Sequence, residues 1–167
     1  MKISLYHASV PVFARMLRNL ATILAKAEVH ATERKIDPAV LLGSRLYPDM
    51  FPLVRQVQIA SDGAKGGAAR LAGVEVPSYA DEEKTFAELI ERCHKTVAFL
   101  EGLDEKAFAG AEDREVSWKS QSATKTMMGL PYLLNHVQPN LYFHVTTAYA
   151  ILRHNGVPLG KKDFLGN

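Results

Sequence analysis

Apolar residues recur every three to four positions along four long stretches of the chain, with polar residues between them. This spacing is typical of amphipathic helices, because 3.6 residues per turn place such positions on one face. Helices of this kind bury their apolar faces against one another, so the pattern predicts an all-α fold, a four-helix bundle. The four stretches cover residues 4–31, 49–73, 81–102 and 130–153.

Capping residues indicate where these helices begin. In the first stretch, Pro11 lies in the first turns and favours a start there, with Ser9 as the N-cap. Asp49 is the N-cap candidate of the second long helix, and Asp81 is that of the third. The helical spacing of the third stretch directs its charged residues, Arg92 among them, toward solvent.

Two ordered segments connect the long helices. Residues 32–49 contain a short helical turn, because Asp37 is a favourable N-cap and Pro38 suits the first helical position. Residues 109–129 lack a helical period, and the alternating run around Trp118 indicates either a short strand or an ordered loop. A bundle with long ordered crossover connections follows. Trp118 itself either covers the core or lines the mouth of a pocket.

Composition adds class and compartment to this picture. A chain of 167 residues, 47% hydrophobic and 23% charged, is long enough for one domain with its own core, so residues 1–167 are predicted to form a single domain. The net charge of +2 is spread without a basic face, which argues against nucleic acid as a partner. The absence of a membrane-length apolar window and of a signal-peptide pattern, with the single Cys93, favours a cytoplasmic protein.

The fourth stretch carries polar residues at four-residue steps, namely His136, Asn140 and His144. Such steps place side chains on one helix face, as in bundles that hold metals between facing helices. His136 and His144 are about 12 Å apart along an unbroken helix, too far for one metal ion, and Pro139 interrupts the backbone hydrogen bonds between them. An amide is a poorer ligand than imidazole, so His144 is the metal-ligand candidate and Asn140 a candidate for binding a small molecule.

On the second long helix, Gln58 and Asp62 interrupt the apolar pattern four residues apart. They either form a solvated edge or point inward to meet Asn140 and His144. The candidate ligand-binding set is therefore Gln58, Asp62, Asn140 and Trp118, beside the metal candidate His144. The sequence contains no phosphate-binding loop, nucleophile elbow or Cys-x2-Cys pair.

Four segments resemble one known superfamily. Residues 144–156, with His followed by Leu-Arg and a closing Gly, resemble the last helix of DinB/YfiT-like proteins. The run PNLYFHVTTAYAILR at 139–153, with the tail GKKDFLG, is more closely similar to a domain-of-unknown-function family within that superfamily. The opening LYHASVPVF and the segment QVQIASDGAK at 56–65 fit the same family, so the resemblance spans nearly the whole chain.

This resemblance implies a DinB-like four-helix bundle, often dimeric. The superfamily typically binds a divalent metal through three histidines, one on the second helix and two on the fourth, so the resemblance implies a divalent metal, Zn or Ni, as the cofactor of this chain. Some members transfer groups to low-molecular-weight thiols. By position, one histidine matches His144, another falls on Asn140, and the helix-two histidine falls near Gln58.

Three functions remain open at this point. The chain is either a small-ligand-binding or non-catalytic bundle with a degenerate metal site, or a divalent-metal enzyme similar to thiol transferases. The enzyme would need an altered ligand set that adds Asp62 or His136. The third alternative is a structural or dimerisation module. A homodimer and a small-molecule ligand are the partners that these alternatives imply.

Overall fold

A computed structural model describes residues 3–120 and 123–166 of the chain. Over these ranges the protein is mostly helical, with one small antiparallel sheet. The single-domain prediction for 1–167 includes residues 1, 2, 121, 122 and 167, which lie outside the described ranges. The helices and strands are α1 Leu5–Arg34, α2 Pro38–Gly43, α3 Leu53–Ala72, α4 Phe86–Glu101, β1 Glu115–Ser120, β2 Ala123–Met128, α5 Gly129–Tyr132, α6 Gln138–His154 and α7 Lys161–Leu165.

Four long helices, α1, α3, α4 and α6, make most of the tertiary contacts. Helix α1 packs mainly on α4 and α3 mainly on α6, while α3 also lies against α4. Their apolar faces form one core that includes Phe13, Leu53, Leu89 and Leu141, all completely buried. The helical periodicity of the sequence therefore identified the elements that build the core.

The start of α1 differs from its prediction. The helix begins at Leu5, and the Ser4 hydroxyl accepts a hydrogen bond from the backbone N–H of His7. Ser9 is buried inside the helix and donates to the carbonyl of Leu5 at 2.5 Å. Pro11 is tolerated within the helix, so it does not mark the start. The prediction of Ser9 as the N-cap of α1 was therefore wrong, because Ser4 caps this helix about one and a half turns earlier.

The second and third long helices, by contrast, start later than predicted. Helix α3 begins at Leu53 with Pro52 before it, and Asp49 does not cap it. Helix α4 begins at Phe86, where Thr85 and Glu88 form a reciprocal capping box. Asp81 lies before this helix and pairs with arginine side chains instead, so acidic residues near a helix start were misread as caps.

The expectation of an all-α chain is corrected by a hairpin. Strands β1 and β2 pair antiparallel, with Trp118 opposite Lys125. The alternating run around Trp118 is thus a strand rather than a loop. Trp118 is only 8% exposed and covers the core near α5, the first of the two alternatives that the sequence left open.

A π-helical turn, Leu133–Val137, connects α5 to α6. The predicted single helix over 130–153 is therefore three consecutive helical segments. In the described ranges, no helix combines the length and the apolar character that a membrane crossing requires.

Candidate functional site

The structure distributes the five predicted site residues over three places. His144 and Asn140 face α3 along the line where α3 and α6 meet, which we call the α3–α6 seam. Gln58 and Asp62 belong to a group of charged side chains between α3, α4 and the segment that precedes α4. Trp118 packs on His136 at the π-helical turn. The predicted meeting of Gln58 and Asp62 with His144 is not observed.

The α3–α6 seam is closely packed because α3 presents small residues to α6. A Cβ at Gly63 would lie 2.9 Å from Nδ2 of Asn140, and one at Gly67 would overlap the side chain of Val137. Asn140 therefore packs directly on the backbone of α3. The glycines that weaken the helix propensity of α3 are the residues that allow this approach.

His144 pairs with Gln56 across the seam. Nδ1 of His144 lies 2.7 Å from Oε1 of Gln56, and Nε2 of Gln56 donates to the carbonyl of Phe51 at 3.0 Å. Because the amide nitrogen of Gln56 donates to the Phe51 carbonyl, the amide oxygen of Gln56 faces the imidazole as an acceptor. Nδ1 therefore carries the proton in the neutral ring, and Nε2 is left as an acceptor. The helix-two partner of His144 is Gln56 rather than Gln58.

The environment of His144 favours the neutral imidazole. The side chain is only 7% exposed, and this burial lowers its pKa below the usual value, with a further contribution from the positive charge of Arg55. Gln56, which is neutral, does not stabilise an imidazolium as a carboxylate would. At neutral pH the ring therefore offers a lone pair on Nε2 rather than a positive charge.

An open apolar groove of about 490 Å³ runs along α6 and is lined by Phe143, the residue before His144, but not by His144 itself. The ring of Phe143 meets the His144 ring edge-on at 5.1 Å and forms one wall of the groove. Leu46 and Met50, from the segment before α3, also line the groove, as does Thr147, whose hydroxyl donates to the carbonyl of Phe143. The groove thus combines apolar walls with few polar groups.

Gln58 and Asp62 contribute instead to the surroundings of Arg92. The Arg92 side chain is 2% exposed and donates to Asp62 at 2.9 Å and to Glu83 at 2.8 Å. Gln58 donates to the other oxygen of Glu83 at 2.9 Å, and Asp81 lies 3.0 Å from Arg92. The predicted solvent-facing position of Arg92 was wrong, because three carboxylates satisfy it inside the protein.

Tyr79 covers this charged group from outside. Nζ of Lys65 lies 3.7 Å and Nζ of Lys95 4.3 Å from the centre of the Tyr79 ring, within the range of cation–π contacts. Lys65 is buried and also pairs with Asp62 at 3.0 Å. Arg92 further donates to the carbonyl of Ala80 at 2.9 Å. These contacts fasten the segment before α4 to the helices.

The residues present do not fit a three-histidine metal centre at His144. Its Nδ1 is engaged by Gln56, while the amide of Asn140 packs on Gly63. Asp62 is held by Lys65 and Arg92. Throughout residues 3–120 and 123–166, no group of three or more His, Cys, Asp or Glu side chains is arranged to hold a metal ion.

Sequence reasoning missed Gln56 and Lys65 as functional candidates. Gln56 stands two residues before Gln58, and nothing in the spacing ranks one above the other until the rotation of α3 is known. Lys65 stands among glycines, which was the available signal of a close approach. Both side chains are buried and hydrogen-bonded or ion-paired.

Comparisons with known proteins agree on one family. The family model described as "Domain of unknown function (DUF1993)" matches residues 5–165. The crystal structure of a DinB family member protein from Shewanella denitrificans is similar, with a TM-score of 0.91 and 48% identity. The match covers 98% of this chain and 92% of that one. No curated protein matches the chain.

Proposed function

The chain belongs to the DUF1993 family, which is DinB-like, and from that premise we propose that it binds a small apolar molecule carrying one hydrogen-bond donor, without a metal ion. The four long helices would form the four-helix bundle of that family, with α3 and α6 supplying the site. The observation that carries the proposal is the fixed orientation of His144 by Gln56, which presents Nε2 as an acceptor.

The Gln56 contact prepares His144 for this role before any ligand arrives. Nε2 of Gln56 donates to the carbonyl of Phe51, and Oε1 of Gln56 accepts from Nδ1 of His144, which defines one tautomer, so the acceptor needs no rearrangement on binding. Burial keeps the ring neutral, as its lowered pKa indicates. A ligand O–H or N–H is the group that such an acceptor selects.

The neighbouring groove supports an apolar ligand body. Its walls are Leu46, Met50, Tyr142 and Phe143, and its size of about 490 Å³ is within the range of small-molecule sites. Phe143 is 56% exposed and its ring lies edge-on against the His144 ring, so a ligand bound on Phe143 would be separated from the imidazole by that one side chain.

Phenol and anisole test the proposal, because the two have similar rings and only phenol has a donor. Dissociation constants would be measured by NMR titration of the metal-free protein. We expect phenol to bind roughly tenfold more tightly, the equivalent of about 1.4 kcal/mol for one hydrogen bond. His144→Phe should abolish the difference, whereas His154→Phe, at the exposed end of α6, should preserve it. Equal affinities in the wild type, or no binding of either probe, would refute the proposal.

Metal analysis separates this proposal from the enzyme alternative. Protein purified without a histidine tag would be assayed for zinc and nickel and melted with and without added metal. The proposal predicts substoichiometric metal and an unchanged Tm, since a tightly bound ion would stabilise the fold. Stoichiometric zinc or nickel that is lost in His144→Ala would favour a metal enzyme instead.

A homodimer through the same surface is a second candidate. Phe143 in the groove is 56% exposed, and Tyr47 and Phe51, the chain neighbours of the groove residues Leu46 and Met50, are 66% and 56% exposed. An apolar surface of this kind is typical of interaction sites. A second copy seated there would bury these rings. Light scattering would show a dimer that Phe143→Glu converts to monomer. A monomeric wild type at high concentration would refute this candidate and leave the groove to a ligand.

A further inference from the structure

The segment of residues 74–85, which we call the α3–α4 segment, joins two long helices without regular secondary structure. Every residue of this segment lies within the described ranges, and none of its side chains is buried or belongs to the apolar core. A segment that buries so little apolar surface opens at a lower free-energy cost than the core helices do. Its attachment to the bundle therefore depends on polar contacts.

Two carboxylates of the α3–α4 segment provide the main contacts. Asp81 and Glu83 lie 3.0 and 2.8 Å from the guanidinium of Arg92, which also donates to the carbonyl of Ala80 at 2.9 Å. Asp81 pairs with Arg55 as well. Charge-assisted hydrogen bonds of this kind are stronger than those between neutral groups. Asp81 and Glu83 thus act as ligands of Arg92 that the chain itself supplies.

The ring of Tyr79 provides a further contact and brings three cations together. Nζ of Lys65 lies 3.7 Å and Nζ of Lys95 4.3 Å from the centre of this ring, and the guanidinium carbon of Arg92 lies 5.6 Å from it. All three distances are within the range of cation–π contacts. The segment therefore covers a place where three positive charges of α3 and α4 converge.

The charges at this place are balanced only while the α3–α4 segment is attached. The helices themselves contribute one carboxylate to these cations, that of Asp62, which lies 3.0 Å from Lys65 and 2.9 Å from Arg92. The other two carboxylates belong to the segment. If the segment moves away, three cations face one carboxylate, and such an excess of positive charge in a recess attracts anions.

Two clefts meet at the Tyr79 ring. One has a volume of about 330 Å³ and is lined by Lys65, and the other has a volume of about 640 Å³ and is lined by Arg92 and Lys95. Ser78 and Tyr79 line both clefts and so form the partition between them. Displacement of these two residues would join the clefts into one recess large enough for a small molecule.

From these contacts we propose that the recess under the α3–α4 segment binds a small dicarboxylate, and that Asp81 and Glu83 occupy this site in the ligand-free protein. The two carboxylates of the ligand would replace those of Asp81 and Glu83 on Arg92, because a planar guanidinium pairs closely with carboxylates. The segment is thus an autoinhibitory element. It lowers the apparent affinity for the ligand by the fraction of molecules in which the site is open.

This site is separate from the one proposed at His144, which pairs with Gln56 at the α3–α6 seam. The two proposals therefore fail independently. Loss of phenol selectivity would leave dicarboxylate binding untouched, and loss of dicarboxylate binding would leave the His144 site untouched.

Removal of the two competing carboxylates tests the proposal. The double variant Asp81→Asn/Glu83→Gln keeps the size of both side chains and removes their charges. Glu82→Gln/Glu91→Gln is the matched control, because it removes the same charge from two exposed residues of the larger cleft that take no part in the ion pairs of Arg92. Dissociation constants for succinate would be measured by isothermal titration calorimetry at pH 7.5 and constant ionic strength, with succinamide as the neutral analogue.

We expect Asp81→Asn/Glu83→Gln to bind succinate at least tenfold more tightly than the wild type, the factor for a segment that is closed in about nine molecules of ten. The control variant should bind succinate as the wild type does, and Lys65→Gln added to Asp81→Asn/Glu83→Gln should reverse the gain. Succinamide should bind to none of these proteins. An unchanged affinity in Asp81→Asn/Glu83→Gln, or an equal gain in the control variant, would overturn the proposal.

Tyr79→Ala keeps the proposal testable if Asp81→Asn/Glu83→Gln does not fold. This substitution removes the ring that attaches the segment to Lys65 and Lys95, while Asp81 and Glu83 remain in the chain. A higher affinity for succinate in Tyr79→Ala supports the proposal, and an unchanged affinity overturns it. In the wild type, succinate should also speed chymotrypsin cleavage after Tyr79, because the displaced segment is accessible to the protease; an unchanged rate at saturating succinate would overturn the proposal.

Discussion

Replacement of Gly67 by alanine tests whether close packing or helix propensity governs the α3–α6 seam. Gly67 lies within α3, where alanine is favoured over glycine by about 1 kcal/mol on propensity alone. The added Cβ would overlap Cγ1 of Val137 and lie 3.0 Å from its Cγ2. Overpacking of this kind costs about 1–3 kcal/mol. Because the overlap involves Val137, a buried residue of the π-helical turn before α6, we expect the clash to outweigh the propensity.

The expected result is a net loss of about 1–2 kcal/mol in the free energy of unfolding. Equilibrium denaturation in urea, followed by circular dichroism, measures this difference. Gly43→Ala is the matched control, because nothing lies within 4 Å of a Cβ there. That control should be neutral or slightly stabilising.

A double-mutant cycle identifies the clash directly. Val137→Ala alone should cost roughly 2 kcal/mol, because it removes two buried methyl groups. In the double variant the new methyl at position 67 fills part of that space. The combined loss should therefore be smaller than the sum of the two by about 1 kcal/mol or more. A Gly67→Ala protein more stable than wild type, with additive effects in the cycle, would refute the close packing of the seam.

Three further predictions concern the charged group under Tyr79 and the buried thiol. Arg92→Met should lower the free energy of unfolding, measured by urea denaturation, by roughly 2–4 kcal/mol, because it leaves the Glu83 carboxylate without its main partner. A change below about 0.5 kcal/mol would contradict the burial of this ion pair. Burial by itself raises the pKa of Glu83, but hydrogen bonds from Arg92 and Gln58 outweigh it and hold the pKa below the usual value of 4.5. The contribution of Glu83 to the free energy of unfolding is therefore fully present above the pKa of the unfolded state and is lost as the pH falls through the pKa of the folded state. Glu83→Gln should accordingly weaken the fall in Tm that acid causes below about pH 5. An unchanged dependence of Tm on pH would contradict this assignment. Burial raises the pKa of the Cys93 thiol to about 12, so the native protein should not react with a thiol reagent at pH 8. Rapid labelling of Cys93 without denaturant would contradict the burial of this side chain.

The fold was predictable from the sequence to the extent that periodicity determines it. Helical spacing locates the four long helices, because each must bury an apolar stripe. Their starts were not predictable in the same way. Asp49 and Asp81 look like N-caps in isolation, yet Asp81 is drawn to arginine side chains that only the tertiary structure brings near.

The candidate site was predictable from the sequence on α6 but not on α3. The four-residue step of Asn140 and His144 places both toward α3, as the structure has them. On α3, whether Gln56 or Gln58 meets His144 depends on the rotation of the helix about its axis. Two polar residues this close in sequence do not determine that rotation. Gln58 instead turns toward Glu83, at 2.9 Å.

Arg92 illustrates why charge alone misleads. An arginine on an amphipathic helix is usually solvated, and here it stands next to the apolar Cys93. Its burial requires carboxylates from outside its own helix, on α3 and in the segment before α4. The π-helical turn was similarly hidden, since its residues continue the helical pattern on both sides.

The tautomer of His144 is the most direct test of the proposed metal-independent site. Long-range ¹H–¹⁵N correlation spectra of the imidazole distinguish a protonated from an unprotonated ring nitrogen. We predict a neutral ring at pH 7 and above, with the proton on Nδ1 and a free Nε2, in spectra that one equivalent of zinc leaves unchanged. A proton on Nε2, or a zinc-dependent shift of either nitrogen, would contradict this account.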